Sequence, residues 1–338
     1  MPFLCAKRIR KGAKVTQINL IEVKEKIIKI KTLEGMAQST LNQYNLIFND
    51  LIGFFEKDTR VNDITLNDAR DFINSLLHEK ADTTSRFKQV ARKGVKPSSV
   101  NNYLQKTRAA FNILKREGVL SENMFNEIRN VKFQKHKVET LSVDEIKRIF
   151  NAFNKSYYAQ FRSYVLLHTL LDTMGRVNET LHLKKQDVDF DKRSVTFQNT
   201  KSKKLRIVPI SKKTAKLLQE LIADNDDLFN NEYIFLTNDG KRLRPSTFRA
   251  HLEKILRNVG INKRIHPHLW RHTGSEMFLR QSGNIRVLQQ LLGHSNLVTT
   301  ASVYSHVLDE TVRNEHEKFN AINLIEEQKE KVVKRNSK

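Results

Sequence analysis

The sequence predicts a mainly α-helical protein with one small antiparallel β-sheet, an α+β arrangement in two domains. Most of the chain repeats its apolar residues at helical spacing, and only the stretch 187–210 alternates them as strands do. Glycine and proline are few, 11 and 5, as expected for a mostly helical protein. The length of 338 residues is enough for two domains of ordinary size.

The first 130 residues contain a basic stretch followed by amphipathic helices. Residues 1–31 are basic and weakly patterned, so we expect a short N-terminal arm. A helix is predicted over 38–57 from its apolar periodicity, with Ser39 or Thr40 as the N-cap. Further helices are expected to begin after Thr65 and at Pro97, with a short fourth helix near 121–129. Helices of this number and kind pack as a small bundle.

The pattern changes after residue 130, which predicts a boundary between domains. Residues 131–140 lose periodicity and gain charge, so we expect a linker there. Ser142 and Glu145 have the spacing of a capping box that opens the next helix. The expected elements that follow are a helix over 160–174, strands within 187–210, helices over 211–223 and 246–258, a short strand at Tyr233–Leu236, and a polar helix or tail after 309.

The charge balance points to a polyanionic partner. Lysine and arginine number 60 against 37 acidic residues, a formal net charge of +23. Such a balance favours binding to nucleic acid or, less often, to an anionic membrane surface. No apolar run is long enough to cross a bilayer, and the N-terminus has no secretory signal. The single cysteine, Cys5, excludes an internal disulfide and a cysteine metal cluster, which fits the cytoplasm.

Two clusters of basic residues and a tyrosine lie near the C-terminus. His268 and Arg271 are three residues apart and share a helix face, and Pro267 suits the first turn of that helix. Gly293 is a plausible C-cap for the apolar run before it, and His294 follows directly. Ser295 or Asn296 is expected to cap one more short helix, which carries Tyr304.

The histidines of the first cluster also allow a zinc site to be considered. His266, His268 and His272 have a spacing that occurs among zinc ligands. Arg271 lies within that run, however, and neither a cysteine nor an acidic residue supports it. We therefore expect no metal here.

Together, these clusters resemble the signature of the tyrosine recombinases, or phage integrases: His-x-x-Arg-His, then Leu-Gly-His, then tyrosine. The upstream segment Leu171–Leu183 is similar to the family's first arginine box, with Arg176 and its acidic companion Glu179. The segment Thr200–Ile210 is similar to its β-hairpin lysine box, with Lys201 in the catalytic place. The chain departs from the common pattern at Trp270, at Ser202 and in the one-residue-longer interval between His294 and Tyr304.

The resemblance implies a metal- and ATP-independent enzyme that cleaves and rejoins DNA through a 3′-phosphotyrosine, with no cofactor. It implies integration, excision or transposition of a mobile element. The implied roles are Tyr304 as nucleophile, His268 as base, Lys201 as acid, Arg176 and Arg271 as holders of the phosphate oxygens, His294 as a hydrogen-bond donor to the phosphate, and Glu179 and His272 as residues that orient the others.

The resemblance also implies partners and a domain plan. Residues 32–130 would be the helical core-binding domain, 141–320 the catalytic domain, and 321–338 a C-terminal helix or tail. The partners would be double-stranded DNA target sites, further copies of the chain in a tetramer, and accessory DNA-bending factors. The basic residues that we expect to contact DNA are Lys106, Arg108, Lys203, Lys204, Arg242, Arg244 and Arg249.

Two other functions are compatible with the same residues. One is a DNA-binding regulator on this fold that performs no strand exchange, which would be favoured if Tyr304 could not reach the phosphate. The other is a type IB topoisomerase, which shares the catalytic set but matches the Leu-Gly-His box less well. The intact catalytic set favours the recombinase.

Overall fold

The computed structural model describes residues 18–80, 93–134, 139–198, 205–257, 259–261, 263, 265–281, 283–304 and 307. The chain divides after His136 into two compact units. That division falls within the segment 131–140, whose charge and lack of periodicity predict a linker. The predicted C-terminal helix or tail, 321–338, and the first 17 residues of the predicted arm lie outside the described residues.

The described residues of the first unit form four helices around one apolar core. They are α1 (Leu20–Leu33), α2 (Gln38–Phe55), α3 (Leu66–His78) and α4 (Pro97–Arg116), with single 3₁₀ turns at Val61–Asp63 and Met124–Glu127. Thr65 caps α3 as predicted, accepting a hydrogen bond from the Asp68 amide, and Pro97 occupies the first position of α4. Each helix contributes fully buried aliphatic or aromatic side chains to the core.

The prediction of an arm over 1–31 is wrong for its last third, because α1 occupies Leu20–Leu33. Leu20, Val23 and Ile27 are completely buried in the core of the first unit. Asn19 begins the helix through a capping box with Glu22. The helical period was present in the sequence, but interleaved charged residues obscured it.

Two smaller expectations for this unit are also corrected. Ala37 stands at the N-cap of α2 and makes no side-chain cap, so neither Ser39 nor Thr40 begins that helix. The expected fourth helix near 121–129 is only the 3₁₀ turn at Met124–Glu127.

In the part of the chain that the structure describes, the second unit contains seven helices, one further helical segment and the sheet. The helices are α5 (Val143–Asn151), α6 (Tyr158–Thr173), α7 (Val177–Thr180), α8 (Lys212–Leu228), α9 (Pro245–Leu256), α10 (Pro267–Arg280) and α11 (Ile285–Leu292), and residues 297–304 are also helical. Helix α6 lies at the centre and packs against α8 and α10. Gly274 permits the close approach of α10 to α6, because a Cβ at this position would lie only 2.5 Å from the carbonyl oxygen of Leu171 in α6.

The sheet confirms the predicted fold class of mainly helical structure with a small antiparallel sheet. Its strands are β1 (Val188–Asp189), β2 (Ser194–Gln198) and β3 (Leu205–Pro209), in the order β1-β2-β3. The predicted strand Tyr233–Leu236 is not formed as such: Tyr233 and Leu236 make isolated bridges only, while the residues between them are fully buried. An apolar run of four residues fits a buried connection as well as a strand.

Candidate active site

Arg176 is placed by a sharp turn at the end of α6. Met174 adopts a left-handed conformation with φ of 51°, and Gly175 follows it. A Cβ on Gly175 would lie 2.8 Å from the Thr180 hydroxyl oxygen, so only glycine fits this turn without movement. Arg176 is then the N-cap residue of α7, and its Nη1 donates to Oε1 of Glu179 at 2.8 Å. The Arg176 side chain is 37% exposed, which leaves it able to meet a ligand.

Arg271 is the most deeply buried cation of the site, with 5% exposure. Its Nη1 donates to the Met174 carbonyl at 2.6 Å, and its Nη2 donates to the Leu292 carbonyl at 2.8 Å. These carbonyls lie at the C-terminal ends of α6 and α11, where the helix dipole favours a cation. Burial, and then the charges of Arg176 and Arg206, lower the pKa of Arg271 to about 10, so it stays charged at neutral pH.

His294 is bound between Arg271 and Thr300. Gly293 precedes it with φ of 64° and ends α11, as predicted. His294 Nε2 lies 3.1 Å from Arg271 Nη2, and its Nδ1 lies 2.9 Å from the Thr300 hydroxyl. Arginine can only donate, so Nε2 accepts and the ring proton is on Nδ1. Burial and then Arg271 lower the pKa of His294 to about 4, which keeps the ring neutral at neutral pH.

Tyr304 lies on the helical segment 297–304, which Asn296 begins by accepting a hydrogen bond from the Val298 amide. The tyrosine is 3% exposed, and its hydroxyl lies 3.0 Å from His272 Nδ1. Burial raises the pKa of the phenol above its ordinary value, partly offset by the Ser275 hydroxyl and the Arg271 charge. The phenol therefore stays protonated at neutral pH and needs a base before it can attack.

The histidine in contact with the phenol is His272, whereas the resemblance implied His268 as the base. Burial, and then the charges of His268 and Arg271, lower the pKa of His272 to about 4. His268 lies one turn earlier on α10 and is exposed. Loss of water around part of its ring, followed by the charges of Arg271, Arg176 and Arg249, lowers its pKa. The charges of three arginines therefore act on His268.

Glu179 connects two arginines. Its Oε1 accepts from Arg176, and its Oε2 accepts from Arg206 Nη2 at 3.0 Å. Burial would raise the pKa of this carboxyl, but the bond from Arg176 and the charge of Arg206 outweigh it and lower the pKa. Glu179 is thus ionised and fixes the orientation of Arg176. Sequence reasoning missed Arg206 as a site residue, although it lies in the lysine box, facing Phe197 across the hairpin.

Known families account for nearly the whole chain. Residues 139–311 match the phage integrase family, and residues 19–138 match the phage integrase SAM-like domain. The chain belongs to the phage integrase family. A tyrosine recombinase of Pseudothermotoga lettingae is 33% identical over 275 residues, which cover 80% of this integrase and 85% of the relative. The family resemblance, the site-specific recombinase function and the enzyme class expected from the sequence are thereby confirmed.

Two solved structures share the fold of this integrase. The Tn1549 transposon integrase in complex with a circular intermediate DNA has a TM-score of 0.71 at 18% identity, over 90% of this chain and 99% of that one. A lambda integrase tetramer bound to a Holliday junction has a TM-score of 0.63 at 17% identity, over 82% of this chain and 78% of that one. At these identities the likeness concerns the fold alone.

Of the residues expected to contact DNA, Arg108 is bonded within the first unit. Its Nε donates to the Phe125 carbonyl and its Nη1 to Asn130 Oδ1, both at 3.0 Å, and its Nη2 donates to the Ile128 carbonyl. All three nitrogens thus bind the segment around the 3₁₀ turn. These internal bonds stabilise the first unit and favour a structural role for Arg108 over the expected phosphate contact.

The other basic candidates differ in how available they are. Arg242, Arg244 and Arg249 are exposed around the start of α9. The ammonium of Lys106 lies 5.4 Å from the centre of the Tyr44 ring. The remaining candidates, Lys203 and Lys204, lie outside the described residues, as does Lys201, the expected acid. The contact of each with DNA stays a prediction.

One of the three histidines considered as zinc ligands is used in a helix cap. His266 is the N-cap of α10, where its Nδ1 accepts from the Leu269 amide at 3.2 Å. Among the described residues, no group of three histidine, cysteine or acidic side chains is arranged to hold a metal ion. No helix in those parts of the chain is long and apolar enough to cross a membrane.

Proposed function

We propose that this integrase breaks one DNA strand at a time through a covalent 3′-phosphotyrosine at Tyr304, at paired target sites of a mobile element. The observation that carries the proposal is the position of Arg271. Its guanidinium contacts the first arginine box at Met174 and the Leu-Gly-His box at Leu292 and His294. Three separate segments of sequence therefore converge where a phosphate would need cations.

The proposed step is an in-line displacement at phosphorus. The Tyr304 oxygen bonds to phosphorus, the bond to the 5′-oxygen breaks, and Lys201 gives the leaving oxygen its proton. Arg176 and Arg271 stabilise the charge that grows on the two non-bridging oxygens. The phosphotyrosine keeps the energy of the phosphodiester, so a free 5′-hydroxyl can reverse the step without ATP.

The contact at Tyr304 supports His272 as the acceptor of the phenolic proton. Its Nδ1 lies 3.0 Å from the hydroxyl, within the range for direct proton transfer. A neutral ring is able to accept, and the lowered pKa keeps His272 neutral. The exposed position of His268 and the arginine charges that act on it support this residue as a phosphate contact instead. His294 can also donate a hydrogen bond to the phosphate, but only after its Nε2 has gained a proton. In this structure that nitrogen accepts a hydrogen bond from Arg271 and so carries no proton.

The proposed partners are double-stranded DNA, further copies of the chain and accessory DNA-bending factors, all in the cytoplasm. The net charge of +23 supports DNA as the principal partner. A tetramer is supported by the shared fold with lambda integrase, whose tetramer binds a Holliday junction. Exchange of two strand pairs requires four cleavages, which fits four subunits with one Tyr304 each.

The test uses DNA that the protein itself selects. Duplexes of random sequence are enriched for binding, and the protected site is mapped by footprinting. A nicked duplex with that site releases a short fragment after cleavage, so the cleaved strand cannot be rejoined. We expect an SDS-resistant protein–DNA complex on this substrate. A protein that binds the site and never forms the complex is a regulator, and one that relaxes supercoiled plasmid lacking the site is a topoisomerase.

A further inference from the structure

Arg206 extends from strand β3 into the site and is held on three sides. Its guanidinium carbon lies 4.8 Å from the centre of the Phe197 ring. Its Nη1 donates to the Leu292 carbonyl at 2.6 Å, and its Nη2 donates to Glu179 Oε2 at 3.0 Å. The side chain is only 13% exposed. A cation so buried and so bonded has a fixed orientation.

Both acceptors of Arg206 are shared with the arginines that we propose hold the phosphate. The Leu292 carbonyl also accepts from Arg271 Nη2 at 2.8 Å. Glu179 also accepts from Arg176 at 2.8 Å. Arg206 is therefore separated from each of those arginines by a single acceptor group.

The surroundings of Arg206 leave it little room to turn. A Cβ on Gly293 would lie 2.5 Å from Arg206 Nη1 and 3.2 Å from its Cδ. Its Nε is buried and has no hydrogen-bond partner among the described residues. The two terminal nitrogens thus make the hydrogen bonds that orient the guanidinium. Both of these nitrogens are bonded to acceptors within the protein, which suits a residue that holds its neighbours in place.

We propose that Arg206 is a positioning residue, which ties the strand following Lys201 to both arginine boxes and fixes the spacing of Arg176 and Arg271 before DNA binds. The inference rests on the proposed function. Its physical reason is that three guanidinium groups repel one another, and each needs a fixed acceptor to stay in place. Glu179 and the Leu292 carbonyl are those acceptors, and Arg206 joins them to the hairpin.

The experiment measures single-turnover cleavage of the nicked substrate alongside binding to the same site. Arg206→Gln should slow cleavage on the order of 10²-fold through misplacement of the catalytic groups, with binding close to that of wild type. Arg206→Lys retains the charge and one of the two hydrogen bonds. Its cleavage rate should therefore fall between those of wild type and Arg206→Gln. Arg148→Gln, at an exposed arginine of α5, is the matched control and should cleave like wild type.

Glu179→Gln distinguishes positioning from a merely structural role. If Arg206 acts through Glu179, the double variant should cleave no more slowly than the slower single variant. The inference would be overturned if the double variant lost rate by the product of the two single losses. It would also be overturned if Arg206→Gln cleaved at the wild-type rate. Loss of binding in parallel with cleavage would make Arg206 a DNA contact and overturn it too.

The outcome for the wild type separates the two proposals. Failure of the wild type to form the adduct removes the proposed function, and the inference with it. An adduct that wild type and Arg206→Gln form equally fast removes the inference alone. Should Arg206→Gln fail to fold, Arg206→Lys carries the test, and a wild-type rate for that variant contradicts the positioning role.

Discussion

At the residue scale, two histidines one turn apart on α10 have different surroundings. We expect His272→Gln to slow adduct formation by about 10²- to 10⁴-fold, the usual contribution of a general base. His268→Gln should slow it less and weaken binding to the site more. The pH dependence of cleavage at low DNA concentration reports the ionisable groups of the free enzyme. Because the pKa of His272 is lowered to about 4, the rate should begin to fall with decreasing pH only below pH 6.5, the ordinary pKa of histidine. A larger loss of cleavage in His268→Gln would return the base to that residue.

Gly293 offers a second test at this scale, with Gly260 as its control. Both have positive φ, 64° and 68°, but a Cβ on Gly260 would meet nothing within 4 Å. An alanine in the left-handed region costs roughly 1–2 kcal/mol, so both variants should be destabilised by that amount in urea unfolding. Gly293→Ala should lose further stability and slow cleavage, because Arg206 must move. Equal stability and full activity of the two variants would contradict the role given to this contact.

The residues of the site could be predicted from the sequence, but the contacts between them could be predicted only in part. Arg176, Arg271, His294 and Tyr304 stand in motifs that the sequence displays. The contact of His272 with Tyr304 joins residues 32 apart, and that of Arg206 with Leu292 joins residues 86 apart. Such contacts depend on how α10, α11 and the hairpin pack, which periodicity along the chain does not specify.

At the scale of single elements, the hairpin between β2 and β3 carries Lys201, the proposed acid. We expect Lys201→Ala to cleave ordinary DNA slowly, because the 5′-oxygen leaves without a proton. Substrate with sulfur in place of that oxygen should be cleaved by the variant at close to the wild-type rate, since a thiolate leaves unprotonated. The measurement is the ratio of the two substrates' rates for each protein. Equal loss on both substrates would show that Lys201 only binds.

Helix ends with a local signal were predicted correctly, and those without one were not. Ser142 and Thr65 cap their helices as expected because a capping box involves residues three apart. Helix α1 was missed because charged residues lie between its buried ones: Glu22 before Val23, and Lys24, Glu25 and Lys26 before Ile27. The run Tyr233–Leu236 was predicted as a strand because a short apolar segment has no period to distinguish it.

At the scale of the whole molecule, the charge predicts salt-sensitive binding. Each phosphate that the protein neutralises contributes about −0.9 to the slope of log affinity against log salt. Arg249→Gln, at an exposed position, should make the slope shallower by about that amount. Arg108→Gln should leave the slope unchanged and lower stability, because its donors are used internally. A flat salt response of the wild type would contradict DNA binding by a basic surface.

The most direct test of the account is the adduct at Tyr304, one of seven tyrosines. Tyr304→Phe removes one oxygen and little volume, so folding and binding to the site should survive. Tyr157→Phe makes the same change at a tyrosine that is 62% exposed and is the matched control. We expect wild type and Tyr157→Phe to form the SDS-resistant complex on the nicked substrate, and Tyr304→Phe to form none. A complex formed by Tyr304→Phe would place the nucleophile at another residue and contradict the account.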